Sequence, residues 1–118
     1  MGQGQLVCRC DDSASAGSSG SRIGVICIWM GPVLSYFPLW WRSAASNPDI
    51  DFHLLTDQKI SLEAPNIFVH STTIEDEERR YSDRLHRPVS ISRPYKFCDY
   101  RPLYGILYED MLAEYDFW

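Results

Sequence analysis

Two cations and a carboxylate lie close together late in the sequence, in a run that can bind an anion. Lys96 offers a point charge, and Arg101 offers a planar guanidinium that can grip a phosphate with two parallel hydrogen bonds. Asp99 lies between them and can hold Arg101 in place or bind a hydroxyl. We expect a helix to begin here, and the free N–H groups of a helix N-terminus also favour anions. The structural alternative is that Asp99 caps this helix and Arg101 pairs with an acidic neighbour.

A second candidate site lies where two predicted strands end. Met30 and Gly31 follow the first strand, and a backbone without a bulky side chain lets a ligand approach closely. Asp57 closes the second strand and can accept a hydrogen bond. Ligands of parallel α/β sheets bind beyond the carboxyl ends of the strands, so the two strand ends are expected to form one site. An ordinary turn at Gly31 and a turn carboxylate at Asp57 explain the same residues without a ligand.

Other catalytic patterns are not recognisable in the sequence. The three histidines, His53, His70 and His86, do not have the spacing of metal ligands. The sequence also contains no Ser-His-Asp or Cys-His arrangement and no phosphate-binding glycine loop. Glu109 and Asp110 are adjacent on a predicted helix, so they point to different faces and are expected to be solvated. No catalytic residue and no metal ligand is therefore assigned.

The elements that position these residues alternate between strand and helix. The segment from Ile23 to Ile28 is a nearly continuous apolar run, which is typical of a strand buried on both faces of a parallel sheet. Such alternation, with connections long enough for crossovers, indicates an α/β fold with a mostly parallel sheet flanked by helices. Further strands are predicted at 52–56, 67–70 and from 115 onward, and helices at 33–46, 72–85 and about 99–114.

Local signals mark the ends of the predicted helices. Pro38 either kinks the first helix or marks its first turn. Thr72 and Glu75 stand in the relation of a capping box, and the charged face of the helix that follows is predicted to be solvated. Tyr104 and Tyr108 have helical spacing and are assigned to the core.

Length and composition limit the possible functions. The chain has 118 residues, which is room for one small domain, and 45% hydrophobic and 14% aromatic residues, which is enough for a packed core. A net charge of -5 without a basic block disfavours a nucleic-acid partner. Residues 1–22 are rich in Gly and Ser and are predicted to be a disordered leader, so the folded domain is expected to span 23–118.

Cysteines and apolar stretches favour a reduced, cytoplasmic protein. Cys8 and Cys10 lie in the leader without zinc-site spacing, and Cys27 and Cys98 are predicted to be buried thiols. The longest apolar stretch, 23–34, is shorter than the ~20 residues that span a bilayer. No signal peptide is recognisable, and we predict no membrane span and no export.

Three blocks from Ile23 onward, in the same order, resemble a mostly uncharacterised bacterial family. That family is similar to glycosyltransferases of the GT-A fold and occurs with polysaccharide-assembly genes. The resemblance covers nearly everything from Ile23 to the last residue. The blocks are I-W-M-G-P with Y-F-P-L-W, then N-P-x-I-D-F-x-x-L-T-D, then R-P-Y-K-F-C-D-Y-R-P-L-Y-G-I-L-Y-E-D-M-L-A-E-Y-D-F-W.

The resemblance implies a Rossmann-like nucleotide-binding half of a GT-A fold. It further implies transfer of a sugar from a nucleotide-diphosphate donor, a UDP-sugar by preference, to a glycan or another acceptor. The segment D-x-R-P-x-Y-G is similar to the Asp-x-x-Arg-Tyr helix of other GT-A enzymes, with a different spacing. The residues that would bind the nucleotide, with Tyr95 stacking on the base, are Met30, Gly31, Asp57, Tyr95, Lys96, Asp99 and Arg101.

In the family that it resembles, the Y-D-F-W block leads into a strand that ends in an acidic D-x-D motif. That motif would hold Mn²⁺ or Mg²⁺ between the two phosphates of the donor. This sequence stops at Trp118, so we expect an incomplete fold, truncated before its metal site, without a metal of its own and inactive alone. The alternatives are a non-catalytic nucleotide-binding or protein-interaction module, and a shortened chain whose unpaired apolar sheet edge prevents stable folding.

Overall fold

The computed structural model describes residues 20–118. Most of the predicted leader, with Cys8 and Cys10, lies outside the described residues. A sheet of three parallel strands forms the centre of the described part, in the order β1 (Ile23–Trp29), β2 (Ile50–Thr56) and β3 (Ile67–Ser71). The predicted parallel sheet flanked by helices is thereby confirmed, and each of these strands extends slightly beyond its predicted bounds.

Helices cover both faces of the sheet. Successive residues of a strand point to opposite faces, so neighbouring residues of β2 pack against different helices. Leu54 packs with Trp41 and Ala44 of helix α1 (Phe37–Ala45) on one face. Leu55 packs on the other face, in a larger buried cluster with Tyr81 and Leu107. The elements that cover this second face are α2 (Ile74–Leu85), a 3₁₀ helix (Pro94–Leu103), α3 (Tyr104–Leu107) and α4 (Glu109–Leu112).

Proline fixes where α1 begins. The helix was predicted from residue 33, but it starts at Phe37 and carries Pro38 in its first turn. A proline in the first turn costs the helix no hydrogen bond, since an N–H at this position would have no partner inside the helix. Pro38 therefore marks the start of the helix and does not kink it.

The capping residue of α2 lies one position later than predicted. Thr73 is the N-cap, and its hydroxyl accepts a hydrogen bond from the backbone N–H of Asp76 at 3.1 Å. The predicted capping box of Thr72 and Glu75 is therefore wrong. Thr72 instead donates a hydrogen bond to the carboxylate of Glu77 at 2.7 Å.

The predicted single helix over 99–114 is wrong. The 3₁₀ helix occupies 94–103, and the short helices α3 and α4 follow it. Pro102 has no N–H to donate into an α-helical ladder, and buried Phe97 and Tyr104 hold this compact path against the sheet. Lys96, Asp99 and Arg101 thus lie within a 3₁₀ helix and not at the N-terminus of an α-helix. Within residues 20–118, no helix is long and apolar enough to cross a membrane.

A strand is predicted from residue 115 onward, and the structure forms a single bridge to β1 there. Phe117 forms a parallel bridge with Ile23, and its carbonyl accepts a hydrogen bond from the N–H of Gly24 at 2.9 Å. The C-terminal segment, residues 114–118, lies on the edge of β1 opposite β2, because Ile23 also pairs with Ile50. β1 is therefore an interior strand at this end of the sheet.

Candidate functional site

The carboxyl ends of β1 and β2 are joined by a hydrogen bond between Gly31 and Asp57. The backbone N–H of Gly31 donates to Oδ1 of Asp57 at 2.9 Å, and the side-chain amide of Gln58 donates to the same oxygen at 2.9 Å. The hydrogen bonds from Gln58 and Gly31 lower the pKa of the exposed Asp57 carboxyl. Oδ2 of Asp57 accepts no hydrogen bond from another residue in the range 20–118. The result is an ionised, oriented carboxylate with one oxygen available to a ligand.

Gly31 is required by its backbone conformation. Its φ of 97° lies in the left-handed region, and no atom lies within 4 Å of where a Cβ would be. The indole N–H of Trp29 donates to the carbonyl of Pro32 at 3.0 Å and braces this turn. The side chain of Met30 is only 6% exposed and belongs to the core, so Met30 presents no side chain to a ligand. A ligand at the carboxyl end of β1 would therefore contact the backbone of Met30 and Gly31.

Tyr95, Lys96, Asp99 and Arg101 form the second candidate group, on the 3₁₀ helix. Tyr95 is 76% exposed. Asp99 Oδ2 lies 2.9 Å from Nζ of Lys96, and this hydrogen bond raises the pKa of Lys96. Asp99 therefore pairs with Lys96, and within residues 20–118 no ion pair joins it to Arg101, although holding Arg101 is one of the two roles expected for it. The alternative that Asp99 caps a helix is wrong, because Arg93 is the N-cap and makes no side-chain capping bond.

The two candidate groups are connected through the core. Phe97, between Lys96 and Asp99 in the sequence, belongs to the same buried cluster as Met30. This cluster brings the 3₁₀ helix to the face of the sheet toward which Met30 points. Among residues 20–118, no hydrogen bond or ion pair joins the Gly31–Asp57 pair to the Lys96–Asp99 pair.

Two histidines whose positions in the sequence do not have the spacing of metal ligands lie next to each other on the sheet. Nδ1 of His53 lies 3.0 Å from Nε2 of His70, and Nε2 of His53 lies 3.0 Å from the hydroxyl of Tyr115. The Tyr115 hydroxyl donates to Oδ2 of Asp51 at 2.7 Å. Strand alternation predicts that Asp51 and His53 share a face. Sequence spacing does not predict this cluster, because the contact with His70 depends on how β2 and β3 are aligned.

Glu77 is buried, although the charged face of its helix was predicted to be solvated. It is 3% exposed, and its carboxylate accepts hydrogen bonds from Thr72 at 2.7 Å and from Tyr108 at 2.6 Å. Tyr108 is itself hydrogen-bonded to Tyr81 at 2.8 Å. Glu77 thus ties α2 to the end of α3. Glu109 and Asp110 are exposed, as predicted, but both pair with Arg84, at 3.6 and 3.3 Å, and so do not point to different faces.

An apolar cavity of about 160 Å³ lies between β1 and α1. Cys27, Trp29 and Trp40 are among its lining residues. Burial raises the pKa of the Cys27 thiol to about 11, so it is protonated and unreactive at neutral pH. Cys27 and Cys98 are both free thiols, and both are partly buried. The cavity suits an apolar group and not a phosphate.

Metal ligands are not grouped in the described part of the chain. Among residues 20–118, no set of three His, Cys, Asp or Glu side chains is arranged to hold a metal ion. These residues therefore do not by themselves fit the Mn²⁺ or Mg²⁺ that the resemblance implies.

Comparison with known proteins places the chain in a family. Residues 25–118 match the family described as "Family of unknown function (DUF6625)". No curated protein and no solved structure matches the chain. The family match includes Gly31, Asp57, the 3₁₀ helix and the C-terminal segment, and covers nearly all of the part that the structure describes. The chain belongs to this family of unknown function, DUF6625.

Proposed function

We propose that this chain is the nucleotide-binding half of a GT-A glycosyltransferase, and that it binds a nucleotide-diphosphate sugar at the carboxyl ends of β1 and β2. The observation that carries the proposal is the hydrogen bond between Gly31 and Asp57 at that edge. β2 lies on one side of β1 and the C-terminal segment on the other, so the strand order reverses at β1. Open parallel sheets bind ligands beside such a reversal, beyond the carboxyl ends of their strands.

Each candidate residue has a defined part in this proposal. Oδ2 of Asp57 accepts a hydrogen bond from uracil N3–H or from a ribose hydroxyl, which makes UDP-sugars the favoured donors. The backbone at Met30 and Gly31 lies against the nucleoside, and the exposed ring of Tyr95 stacks on the base.

Lys96 and Arg101 neutralise the diphosphate, which is the group that carries charge when the sugar leaves. The ion pair between Lys96 and Asp99 is exposed and contributes little by itself, so Lys96 is free to turn to a phosphate while Asp99 binds ribose. The described residues supply no assigned general base. Transfer to a glycan acceptor, with Mn²⁺ or Mg²⁺, is therefore proposed for a complete enzyme, and donor binding for this chain.

Asp57→Asn is expected to weaken UDP binding about tenfold, the effect of one lost hydrogen bond to a charged group. The amide can still accept the Gly31 N–H through its oxygen, but it then presents an NH₂ group to uracil N3–H. Calorimetric titration of the folded chain with UDP, with and without Mn²⁺, measures the change. Asp49→Asn is the matched control, since Asp49 is also exposed. Equal affinities of the Asp57 and Asp49 variants would remove Asp57 from the site.

Lys96→Ala and Arg101→Ala are each expected to weaken UDP binding about five- to tenfold and to leave uridine binding unchanged, because each removes a charge-assisted hydrogen bond to phosphate. The same titrations with UDP and uridine separate the two contributions. Arg87→Ala, at another exposed arginine, is the control. An equal loss for uridine and UDP would show that neither cation binds the diphosphate.

A metal-independent nucleotide-binding module is the second candidate function. It is favoured by the lack of a three-residue metal cluster in 20–118. UDP affinity that is unchanged by EDTA fits both candidates for this chain, whereas affinity that requires Mn²⁺ would exclude the metal-independent module. A folded chain that binds no nucleotide would instead favour a protein-interaction role.

A further inference from the structure

The apolar cavity between β1 and α1 has walls that are held in place by contacts of their own. The indole N–H of Trp29 donates to the carbonyl of Pro32 at 3.0 Å, which fixes the ring that lines one side of the cavity. On the α1 side, the rings of Phe37 and Trp40 stack with their centroids 5.6 Å apart, and Trp40 packs edge-on against Phe52 at 6.1 Å. Sites for small molecules are usually preformed in this way.

The mouth of this cavity lies at the loop that follows β1. Leu34 and Tyr36 of that loop line the cavity and are 41% and 63% exposed, and Trp29 beside them is 38% exposed. Leu54 of β2 also lines the cavity, but it is only 3% exposed and forms the floor. The cavity is therefore open to solvent at one end and closed by the sheet at the other.

The lining of the cavity favours an uncharged ligand. No charged side chain lines it within residues 20–118, and the Cys27 thiol at the strand is only a weak hydrogen-bond donor. An ion in this position would lose its hydration without gaining a partner of opposite charge. Water is also held poorly where polar partners are few. An apolar group would therefore displace little that is firmly bound.

The size and the rings of the cavity indicate which apolar group fits. Its volume is about 160 Å³, and an apolar cavity of roughly 150 Å³ is large enough to bind benzene. Four of its lining residues are aromatic, and aromatic rings attract one another when they stack with an offset or meet edge to face; they are Trp29, Tyr36, Phe37 and Trp40. A void of this size leaves its lining without contacts on one side, and a ring would restore them.

We propose that the cavity is a binding site for the uncharged aromatic ring of a small molecule, which enters past Leu34 and Tyr36 and lies between Trp29 and Trp40. Neither Gly31 nor Asp57 lines this cavity, so the site is separate from the proposed nucleotide site. Its test requires no nucleotide.

Titration of the folded chain with toluene, followed by NMR of the indole N–H signals, tests the site. The signals of Trp29 and Trp40 are expected to shift and to saturate with a Kd on the order of 1 mM or below. The signal of Trp118, whose ring is 57% exposed and lies outside the cavity, should not move. Benzoate, which adds a carboxylate to the same ring, is expected to bind at least about tenfold more weakly.

Three results of these titrations would overturn the proposal. They are shifts that do not saturate, an equal response of Trp118, and equal affinities for toluene and benzoate. The second and third would mean that aromatic molecules bind to exposed rings and not in the cavity.

Leu34→Trp should block the mouth and weaken toluene binding at least about tenfold. Leu62→Trp is the matched control, because Leu62 is 42% exposed, nearly the same as Leu34, and does not line the cavity. Its toluene affinity should remain within about twofold of that of the parent. An equal loss in the two variants would show that the ring does not enter beside Leu34.

Cys27→Leu is a second variant, which fills the cavity from the strand and leaves the loop unchanged. It should also weaken toluene binding at least about tenfold. Cys98→Leu makes the same change at the other partly buried thiol, outside the cavity, and should keep the parent affinity. Parent-like binding by Cys27→Leu would place the toluene site elsewhere and overturn the proposal.

Discussion

Glu77→Ala is expected to lower the free energy of unfolding by about 3 kcal/mol. The buried carboxylate accepts hydrogen bonds from Thr72 and Tyr108, and it lies 3.8 Å from the guanidinium of Arg80. Its removal leaves the hydroxyls and the half-buried cation without this partner and creates a cavity between α2 and α3. Urea denaturation followed by circular dichroism measures the change.

Two further variants identify the cause. Glu77→Gln keeps the shape and can still bond both hydroxyls, so its loss is expected to be about 1 kcal/mol. Asp83→Ala removes an exposed carboxylate from the same helix and should change stability by less than about 0.5 kcal/mol. If Glu77→Ala is no more destabilising than Asp83→Ala, the network around Glu77 does not hold α2 to α3.

Gly24→Ala is expected to cost about 2–3 kcal/mol of stability, the usual effect of forcing extra volume into a packed site. The new Cβ would lie 2.8 to 3.0 Å from three atoms of the Tyr115 ring. The ring must then move away from β1, which breaks its hydrogen bonds to His53 and Asp51. Urea denaturation measures the loss, and amide exchange at Phe117 reports detachment of the C-terminal segment.

Gly105→Ala is the matched control for this substitution. Its Cβ would meet the ring of Trp118 at 2.5 Å, but that ring is 57% exposed and can turn outward. The expected loss is below about 1 kcal/mol, within the range of surface substitutions that displace no buried group. Equal losses for the two glycine variants would mean that Tyr115 is not firmly held.

The sheet could be predicted because its physical signal is local. β1 is apolar at successive positions. Cys27 packs on the face covered by α1, and its neighbours Ile26 and Ile28 pack on the opposite face. This pattern requires a strand covered on both sides. The meeting of Gly31 and Asp57 also follows from the sequence, because neighbouring parallel strands have their carboxyl ends at one edge.

Other features could not be predicted because they depend on contacts between distant residues. The charged pattern of α2 indicates a solvated face, and only the position of Tyr108 shows that Glu77 is buried. His53 and His70 meet through the register of two strands. In the same way, the helical spacing over 99–114 is compatible with an α-helix, but Pro102 and the packing of Phe97 favour a 3₁₀ helix.

The attachment of the C-terminal segment has a consequence for the order in which the molecule folds. Arg22 and Asp116 are separated by 94 positions in the sequence, whereas Phe52 and Ile67 of the neighbouring strands are separated by only 15 (67 − 52). Loop-closure entropy makes distant contacts slower to form and more costly than near ones. β2 and β3 can therefore pair while the chain is still being synthesised, but the closing contact at Arg22 waits until residue 116 has emerged from the ribosome. Until then, the edge of β1 at Gly24 has no partner from this segment, and the nascent chain is most open to non-native strand pairing during that interval.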